Sequence, residues 1–479
     1  MTADEFVKIV RIGSEKLRVD EIVINTGGQE LHGKGMLRIS RERITLEVTI
    51  KEGETLPEFR TGIYTKRDSW KLSGLVEDQL QFKCEHVGPV GNRQFSWPSG
   101  ITRCTFNMHP IDLIPTGWDS ITRKARNEAL AEHAKNNPQL RVAEQPVLEE
   151  VSEDDVSFFA TLLEYPLLAS KWGNELKGET EYFDYILTKE KADSDLQVAL
   201  HSKKNYRSLG EQEDWVKFDS FMHALAFANG IHAWPYRRQY WRAGQKITDR
   251  ITAASKLTKT NHAPFTERLA FNAQTGSLKW DIQDVIRKAA AFFETNTYLS
   301  KEVSIILFLF READKDVHSE ITTIALCTLF ENLVRLLFTE LNLKDKADAN
   351  DVKLFDEAKA EVAGQINRQI IEKGEGYRRL YNLVRSAHMF SIEQMFQAVV
   401  TNFDLMWEDD MEKIFKTWKC ARNPLIHGKA RADISEDEQK TSIINESQIA
   451  GALNILLLKL FGYSGHMRHS TFEDGYRQV

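Results

Sequence analysis

The spacing of apolar residues changes near residue 280, and this change constrains the fold more than any other feature of the sequence. Up to about residue 118, short β-branched and aromatic runs alternate with Gly, Asn, Asp and Pro, a pattern typical of β-strands. From about residue 280 onward, apolar residues recur every three or four positions, as on amphipathic helices. The sequence therefore predicts a multidomain α+β fold, in which a β-rich N-terminal region precedes an all-α helical bundle.

The chain is too long for one domain. It has 479 residues, and a single hydrophobic core rarely grows beyond about 250–300 residues. We predict a β-rich domain over residues 1–118, a mixed α/β continuation of that region over residues 119–295, and a helical domain over residues 296–479.

Charge, cysteines and hydropathy exclude several classes of protein. The net charge of −7 excludes a basic nucleic-acid coat, so any RNA site must be a local basic patch. The four cysteines form no CxxC pair, which indicates reduced thiols and no zinc site. The segment MTADEFVKIVRIG lacks the apolar core of a signal peptide. The run Ile305–Phe310 is far shorter than the roughly 20 residues of a membrane span. We therefore predict a cytoplasmic protein without a membrane segment.

The middle of the chain mixes strand and helix patterns. EYFDYILTK, LQVALHSKK and RRQYWRAGQKITDRITAAS resemble strands, whereas DWVKFDSFMHALAFANGIH has helical spacing and a stop signal at Asn229–Gly230. NTGGQELHGKG opens no helix, so we predict a hairpin rather than a phosphate loop. SITRKARNEALAEHAKNN is polar and favours a helix.

The tract YRRQYWRAGQK, from Tyr236 to Lys246, interleaves aromatic residues with three arginines. Such a surface can bind nucleic acid or a nucleotide, because arginine binds phosphate and aromatic rings stack on bases. An amphipathic strand with a charged solvent-exposed face has the same pattern and is the simpler interpretation.

Four C-terminal segments have the spacing of bundle helices. EITTIALCTLFENLVRLLFTEL is one long helix, and YRRLYNLVRSAHMFSIEQMFQAVVTNF supplies one or two, with a break near His388–Ser391. DLMWEDDMEKIFKTWKCA has one apolar face, formed by Trp407, Met411, Ile414, Phe415, Trp418 and Ala421. ESQIAGALNILLLKLFGY is apolar over so wide an arc that it indicates central burial or a subunit interface, and RADISEDEQKTS is predicted to be a polar connection before it.

The stretch KTWKCARNPLIHGKA holds an arginine and a histidine five residues apart. Pro424 lacks an amide hydrogen and restricts Asn423, so we expect the helix to break or kink there, with Asn423 capping a new turn. In an unbroken helix, Arg422 and His427 would point about 140° apart. A break between them allows both side chains to reach one place.

An arginine and a histidine at one place can cleave RNA without a metal ion. Histidine moves a proton near neutral pH, so the 2′-hydroxyl is activated to attack the adjacent phosphate, while arginine stabilises the charge that develops there. The basic residues Lys419, Lys429 and Arg431 are candidate RNA-binding groups. One histidine cannot act as base and acid at the same moment, and a two-fold dimer would supply a second copy. The apolar last helix would give such a dimer surface to bury.

RNPLIH, preceded by an amphipathic helix and followed by Gly428, resembles the R-x4-6-H motif of the HEPN superfamily. The resemblance covers residues 300–479, and the β-rich region in front of them resembles the layout of the ApeA type of antiphage defence protein. HEPN domains are helical bundles, often homodimeric, and many are metal-independent endoribonucleases. The resemblance thus implies an endoribonuclease without metal or cofactor.

The resemblance also implies roles for individual residues. Arg422 and His427 match the catalytic pair, and Asn423 matches the polar position beside the arginine. An acidic residue of an earlier helix often joins such sites, and Glu331 is the candidate here; an ordinary pair with Arg335, four residues later, is the alternative.

From the motif and the resemblance, we expect an endoribonuclease of antiphage defence, that is, of abortive infection. The implied partners are RNA, with tRNA favoured, a second copy of the chain and a phage-derived trigger, and the N-terminal region would be the sensor. One alternative is a HEPN adaptor that binds RNA or nucleotides without cleavage. The other is a ligand-binding β domain with a helical dimerisation tail, in which Arg422 and His427 are structural.

Overall fold

The computed structural model describes most of the chain, with gaps. The described residues are 2–25, 29–40, 43–50, 70–76, 80–87, 94–96, 100–108, 111–113, 155–165, 175–190, 194–254, 277–313, 320–343, 349–373, 375–386, 390–405, 411–426, 436–467 and 477–478. The chain divides into two compact units, Met1–Thr258 and Lys259–Val479. The predicted segment 119–295 crosses the boundary between these units. Its last part, which contains the helix Ser277–Glu294, belongs to the second unit. The polar segment 120–137, predicted to be a helix, lies outside the described residues.

The first unit is built on one antiparallel sheet. Its strands are β1 Ser14–Asn25, β2 Glu30–Ser40, β3 Ile44–Ile50, β4 Trp70–Val76, β5 Leu80–Val87, β6 Gln94–Ser96, β7 Gly100–Asn107, β8 Ile111–Leu113, β9 Val156–Leu162, β10 Glu175–Glu179, β11 Phe183–Thr188, β12 Leu196–Ser202, β13 Arg237–Arg242 and β14 Gln245–Ile251. Their order is β10-β11-β12-β9-β13-β14-β8-β5-β4-β1-β2-β3-β7-β6. The short strand β8 pairs with both β5 and β14, and so joins the two halves of the sheet.

The predicted hairpin at NTGGQELHGKG is confirmed, because Asn25 of β1 pairs with Glu30 of β2. Glycine is required inside β2, where the neighbouring strand approaches closely. A Cβ atom at Gly35 would lie 2.3 Å from the backbone oxygen of Glu47. The two strands of this segment are therefore part of the sheet.

A helix that the sequence analysis missed, α1 (Ala3–Ile12), packs on β1 and β2. Thr2 and Glu5 form a capping box at its start, and Gly13 ends it with a φ of 70°. The T-x-x-E spacing of Thr2 and Glu5 was the sequence signal for the start of this helix. The helix has only ten residues, and the strand pattern that follows it is longer. Arg11 at its end donates a hydrogen bond to Asp195, 2.7 Å away, before β12, so α1 ties the two halves of the sheet together.

The second half of the sheet packs on α2 (Glu211–Asn229). The predicted strands over EYFDYILTK and LQVALHSKK are confirmed. The predicted helix is also confirmed, and Gly230 ends it with a left-handed φ of 66°. Large buried side chains fill the space between helix and strands, among them Phe158, Phe183, Phe218 and Phe221. Ring contacts of Phe218 with Phe158 of β9 and of Phe221 with Tyr185 of β11 fix the position of α2 on the sheet.

The second unit is helical. Its helices in the described part of the chain are α3 Ser277–Glu294, α4 Tyr298–Ala313, α5 Glu320–Glu340, α6 Ala349–Lys373, α7 Glu375–Ser386, α8 Ile392–Asn402, α9 Glu412–Ile426 and α10 Glu436–Leu460, followed by a two-stranded ribbon of β15 His466–Met467 and β16 Arg477–Gln478. Helix α5 packs against α4, α8, α9 and α10. The predicted α+β order, with strands before helices, is thus observed.

One segment of α5, Thr322–Glu340, has the length and apolar composition of a membrane span. Its mean hydropathy is high enough for a membrane span, but 56% of the segment is buried inside the protein. Burial of this extent is typical of the core helix of a soluble protein.

Two predictions about the last helices are corrected. Helix α9 continues through Pro424 to Ile426, so the backbone does not leave the helix at Asn423. Proline removes one helical hydrogen bond but has a φ close to the helical value, and α9 ends two residues later. The expected polar connection is shorter than predicted, because Glu436–Ser442 already belongs to α10. His427 lies outside the described residues.

Helix α10 is the centre of the second unit. Every residue from Gln448 to Leu458 is buried, on all sides of the helix. The wide apolar arc therefore indicates central burial, as one of the two sequence interpretations proposed. This segment is covered by its own chain, so it offers no free surface to a second copy.

We predict that truncation of Leu453 destabilises the protein far more than the same truncation at Ile444 on the same helix. Leu453 is fully buried, whereas Ile444 is 56% exposed. Leu453→Ala leaves a cavity and should lower the free energy of unfolding by about 3 kcal/mol. Ile444→Ala should change it by less than about 0.5 kcal/mol. Denaturant unfolding followed by the helical circular dichroism signal measures both, and equal effects would contradict the central position of α10.

Candidate functional site

The apolar face of α9 fixes the orientation of that helix on α5. Met411, Ile414, Phe415 and Trp418 are buried, as the sequence predicted, and Trp407 lies outside the described residues. The indole N–H of Trp418 donates a hydrogen bond of 3.0 Å to the backbone oxygen of Cys327 on α5. This bond locks one turn of α9 against one turn of α5.

Arg422 lies one turn beyond Trp418, at the point where the face of α9 reaches solvent. Its guanidinium carbon is 5.3 Å from the centroid of the Trp418 ring, within the range of a cation–π contact. Its Nη2 is 3.1 Å from Oε2 of Glu331 on α5. The arginine of the motif is thus held by an aromatic face below and a carboxylate beside it.

Glu331 is shared between two arginines. Its other oxygen, Oε1, accepts hydrogen bonds from Nε and Nη2 of Arg335, at 3.1 and 2.8 Å. The predicted pair with Arg335, four residues later, is observed, and Glu331 also contacts the motif arginine Arg422. Sequence analysis had treated Arg335 only as an alternative partner and missed it as a member of the cluster.

The cluster of Arg422, Glu331 and Arg335 has two positive charges and one negative charge. Its side chains are 39%, 18% and 34% exposed, so the carboxylate is the most covered and the two guanidinium groups reach solvent. A guanidinium group has five N–H donors, and one carboxylate cannot satisfy two such groups. The remaining donors can bind an anion, and the planar fork of arginine suits phosphate oxygens.

A buried layer lies on α5 and α10 behind this cluster. Burial raises the pKa of the Cys327 thiol to about 12, so the thiol is protonated at neutral pH. Glu446 of α10 is fully buried and accepts a hydrogen bond from the hydroxyl of Thr323. Glu446 was missed by the sequence analysis, which noted only the apolar residues of its segment. The sequence signal for Glu446 was its place as a charged residue at the start of a segment that is apolar over a wide arc.

The structure brings together only part of the predicted site. Arg422 and Glu331 are in contact, and Lys419 is exposed on α9, one turn before Arg422. Asn423 belongs to α9, but its side chain is outside the described part. His427, Lys429 and Arg431 also lie outside the described residues. Within the described ranges, no group of three or more His, Cys, Asp or Glu side chains is placed to hold a metal ion.

We predict a measurable coupling between Arg422 and Glu331 in a double-mutant cycle. Arg422→Ala, Glu331→Ala and the double variant should give a coupling free energy of about 0.5–1 kcal/mol, since the pair is partly buried. Lys416 and Glu412 form a matched control pair on the outer face of α9, 2.7 Å apart and much more exposed. Their cycle should give a smaller coupling, since both side chains are more exposed to solvent. Zero coupling for Arg422 and Glu331 would mean that the ion pair does not persist in solution.

The chain was compared with protein-family models, with curated proteins and with solved structures, and none of the three comparisons finds a match. The family resemblance therefore rests on the RNPLIH motif and on the order of helices in the sequence.

Proposed function

We propose that the protein is a metal-independent endoribonuclease of antiphage defence, of the HEPN superfamily and the ApeA type. The observation that carries the proposal is the contact of Arg422 with Glu331, from two different helices, with Arg335 on the other side of the carboxylate. A carboxylate between two solvent-reaching guanidinium groups orients both for a phosphate.

In the proposed reaction, Arg422 and Arg335 hold the scissile phosphate of RNA. His427 takes the proton of the 2′-hydroxyl, and the 2′-oxygen attacks phosphorus and expels the 5′-oxygen of the next nucleotide. A second histidine returns a proton to that leaving oxygen. The products are a 2′,3′-cyclic phosphate and a 5′-hydroxyl end. Asn423 would assist beside Arg422, and Lys419, Lys429 and Arg431 would hold the neighbouring phosphates.

The second histidine would come from another copy of the chain. Because α10 is covered by its own chain, the dimer must bury a different surface. Helix α4 exposes Ile305, Phe308 and Leu309, which are 51%, 39% and 46% accessible and lie on neighbouring turns. These side chains supply apolar surface for a homodimer.

In the cell, the proposed enzyme would need control. An enzyme that cuts cytoplasmic RNA, with tRNA the favoured substrate, must be restrained before infection. The β-rich first unit would restrain the helical unit and respond to a phage-derived trigger.

One observation favours a second candidate function. Arg422 is already engaged by Glu331 and Trp418, as expected of an arginine with a structural role. The chain would then bind RNA or a nucleotide without cleavage, as an adaptor or regulator. Intact RNA recovered with the purified protein, and unchanged cellular RNA, would identify this case.

We predict that cleavage depends on Arg422 and His427 and not on Lys413. Lys413 is exposed on α9, nine residues before Arg422 and so about 180° around the helix. Sequencing of cellular RNA ends during phage infection should show discrete cuts with the wild type and with Lys413→Ala. Arg422→Ala and His427→Ala should reduce these cuts by roughly 100-fold or more, because each removes transition-state stabilisation or proton transfer. Cuts that persist in both variants would exclude the proposed nuclease.

Arg335 provides a separate prediction, since it pairs with Glu331 but lies outside the motif. If Arg335 binds substrate phosphate, Arg335→Ala should weaken RNA binding by about tenfold. Cleavage assays with a defined RNA give KM and kcat for this variant. An unchanged KM would assign Arg335 to orientation of Glu331 alone.

A further inference from the structure

The first unit contains a cleft between α2 and the strands β13 and β14. The cleft has a volume of about 480 Å³, within the range of small-ligand sites. Its walls are formed by Glu211, Gln212, Trp215 and Asp219 of the helix and by Arg238 and Arg250 of the strands. It thus combines one large aromatic ring, two cations and two carboxylates.

Trp215 and the two arginines form a layered surface in this cleft. The guanidinium carbons of Arg238 and Arg250 lie 5.5 and 5.8 Å from the centroid of the indole ring. Phe158 and Phe218 pack against Trp215, at centroid distances of 5.1 and 5.3 Å, and hold it in place. Bases stack on aromatic rings and on guanidinium planes alike, so the cleft offers a planar group several partners.

The arginines of the tract YRRQYWRAGQK differ in how completely nearby carboxylates pair with their charge. Arg237 donates to both oxygens of Asp249, at 3.0 and 2.7 Å, and to Asp4 at 2.7 Å. Burial works against its charge, but these carboxylates raise the pKa of Arg237. The aromatic residues Tyr236 and Tyr240 are buried in the core. Most of the tract is therefore an amphipathic strand, and Arg237 is structural.

Arg238 differs, because its guanidinium group is only partly paired with a carboxylate. Its ion pair with Asp219 is long, at 3.3 Å, and the Asp219 side chain is 52% exposed. Its Nε atom is buried without a hydrogen-bond partner among the described residues. Burial lowers the pKa of Arg238, and the charge of the neighbouring Arg250 lowers it further, although Asp219 acts in the opposite direction. Arg250 is itself held by Asp112, at 2.6 and 3.2 Å.

We propose that this cleft binds a nucleotide, with its phosphate on Arg238 and its base beside Trp215. An anion in the cleft would pair with the partly exposed guanidinium group of Arg238 and displace only its long contact with the half-exposed Asp219. The freed Asp219 then accepts hydrogen bonds from the base.

The mixture of charges selects this class of ligand. A bare phosphate would be repelled by the two carboxylates beside the arginines, whereas a nucleotide presents an anion to the arginines and N–H groups to the carboxylates. A carboxylate only accepts hydrogen bonds, so a base edge with adjacent donors fits best. Guanine presents a ring N–H beside an amino group, whereas uracil presents a single ring N–H. We therefore expect guanosine monophosphate to bind more tightly than uridine monophosphate.

The test is isothermal titration calorimetry on the full-length chain with guanosine monophosphate, uridine monophosphate and inorganic phosphate. Arg238→Gln should weaken binding of guanosine monophosphate by about tenfold or more. Arg38→Gln is the matched control, because Arg38 pairs with Glu47 at 2.8 Å on the exposed face of β2. Arg38→Gln should bind like the wild type, and Arg422→Ala tests whether the nucleotide binds instead at the cluster of the helical unit.

A further variant tests base recognition without disturbing the core. Asp219→Asn changes an exposed side chain and should abolish the preference for guanosine over uridine monophosphate while phosphate contacts persist. Wild-type protein that binds no nucleotide at millimolar concentrations would overturn the proposal. Binding of phosphate as tight as that of the nucleotides would also overturn it, as would binding lost in Arg422→Ala but kept in Arg238→Gln. These outcomes are independent of RNA cleavage, since Arg238 and Asp219 belong to the first unit.

Discussion

The complete burial of the Gln448–Leu458 segment of α10 is the constraint on which the helical unit depends. A helix with no solvent-exposed face over Gln448–Leu458 must be covered on every side by other elements. Helices α5 and α9 both pack on α10 and on each other. The distance between these two helices is therefore set by the core, and so is the contact between Glu331 and Arg422 that they carry. The candidate site is rigid because its two halves stand on elements that cannot move independently.

The same packing explains why the cluster lies where the apolar face of α9 ends. Trp418 is buried on that face and is anchored to the backbone of Cys327. Arg422 follows at the next turn, where its guanidinium group lies over the indole and is partly exposed to water. An ion pair at such a rim adds little to stability. Its effect is to hold two guanidinium groups beside one carboxylate.

The sequence predicted what depends on local periodicity and missed what depends on distant contacts. The apolar face of α9, the helix α2 with its glycine stop and the β1–β2 hairpin follow from spacing and turn residues. The order of the sheet does not, because β8 joins β5 to β14 through pairings far apart in the chain. Pro424 was expected to end α9, yet the local signal was overridden for two further residues. Glu446 and Arg335 were missed since their roles come from neighbours on other helices or from a shared carboxylate.

The completeness of hydrogen bonding between each guanidinium group and nearby carboxylates separates structural arginines from candidate binding arginines in both units. Arg237 has two carboxylate partners and is neutralised within the fold, so it has no donors or charge to offer a ligand. Arg422 and Arg335 share one carboxylate, which leaves a net positive charge at the surface. Arg238 has one distant, exposed partner and a buried donor without one. Since arginine stays charged at any physiological pH, incomplete compensation must be met by solvent or by an anion. The Arg238 side chain is 24% exposed and lines the cleft, so an anion bound there can reach its guanidinium group.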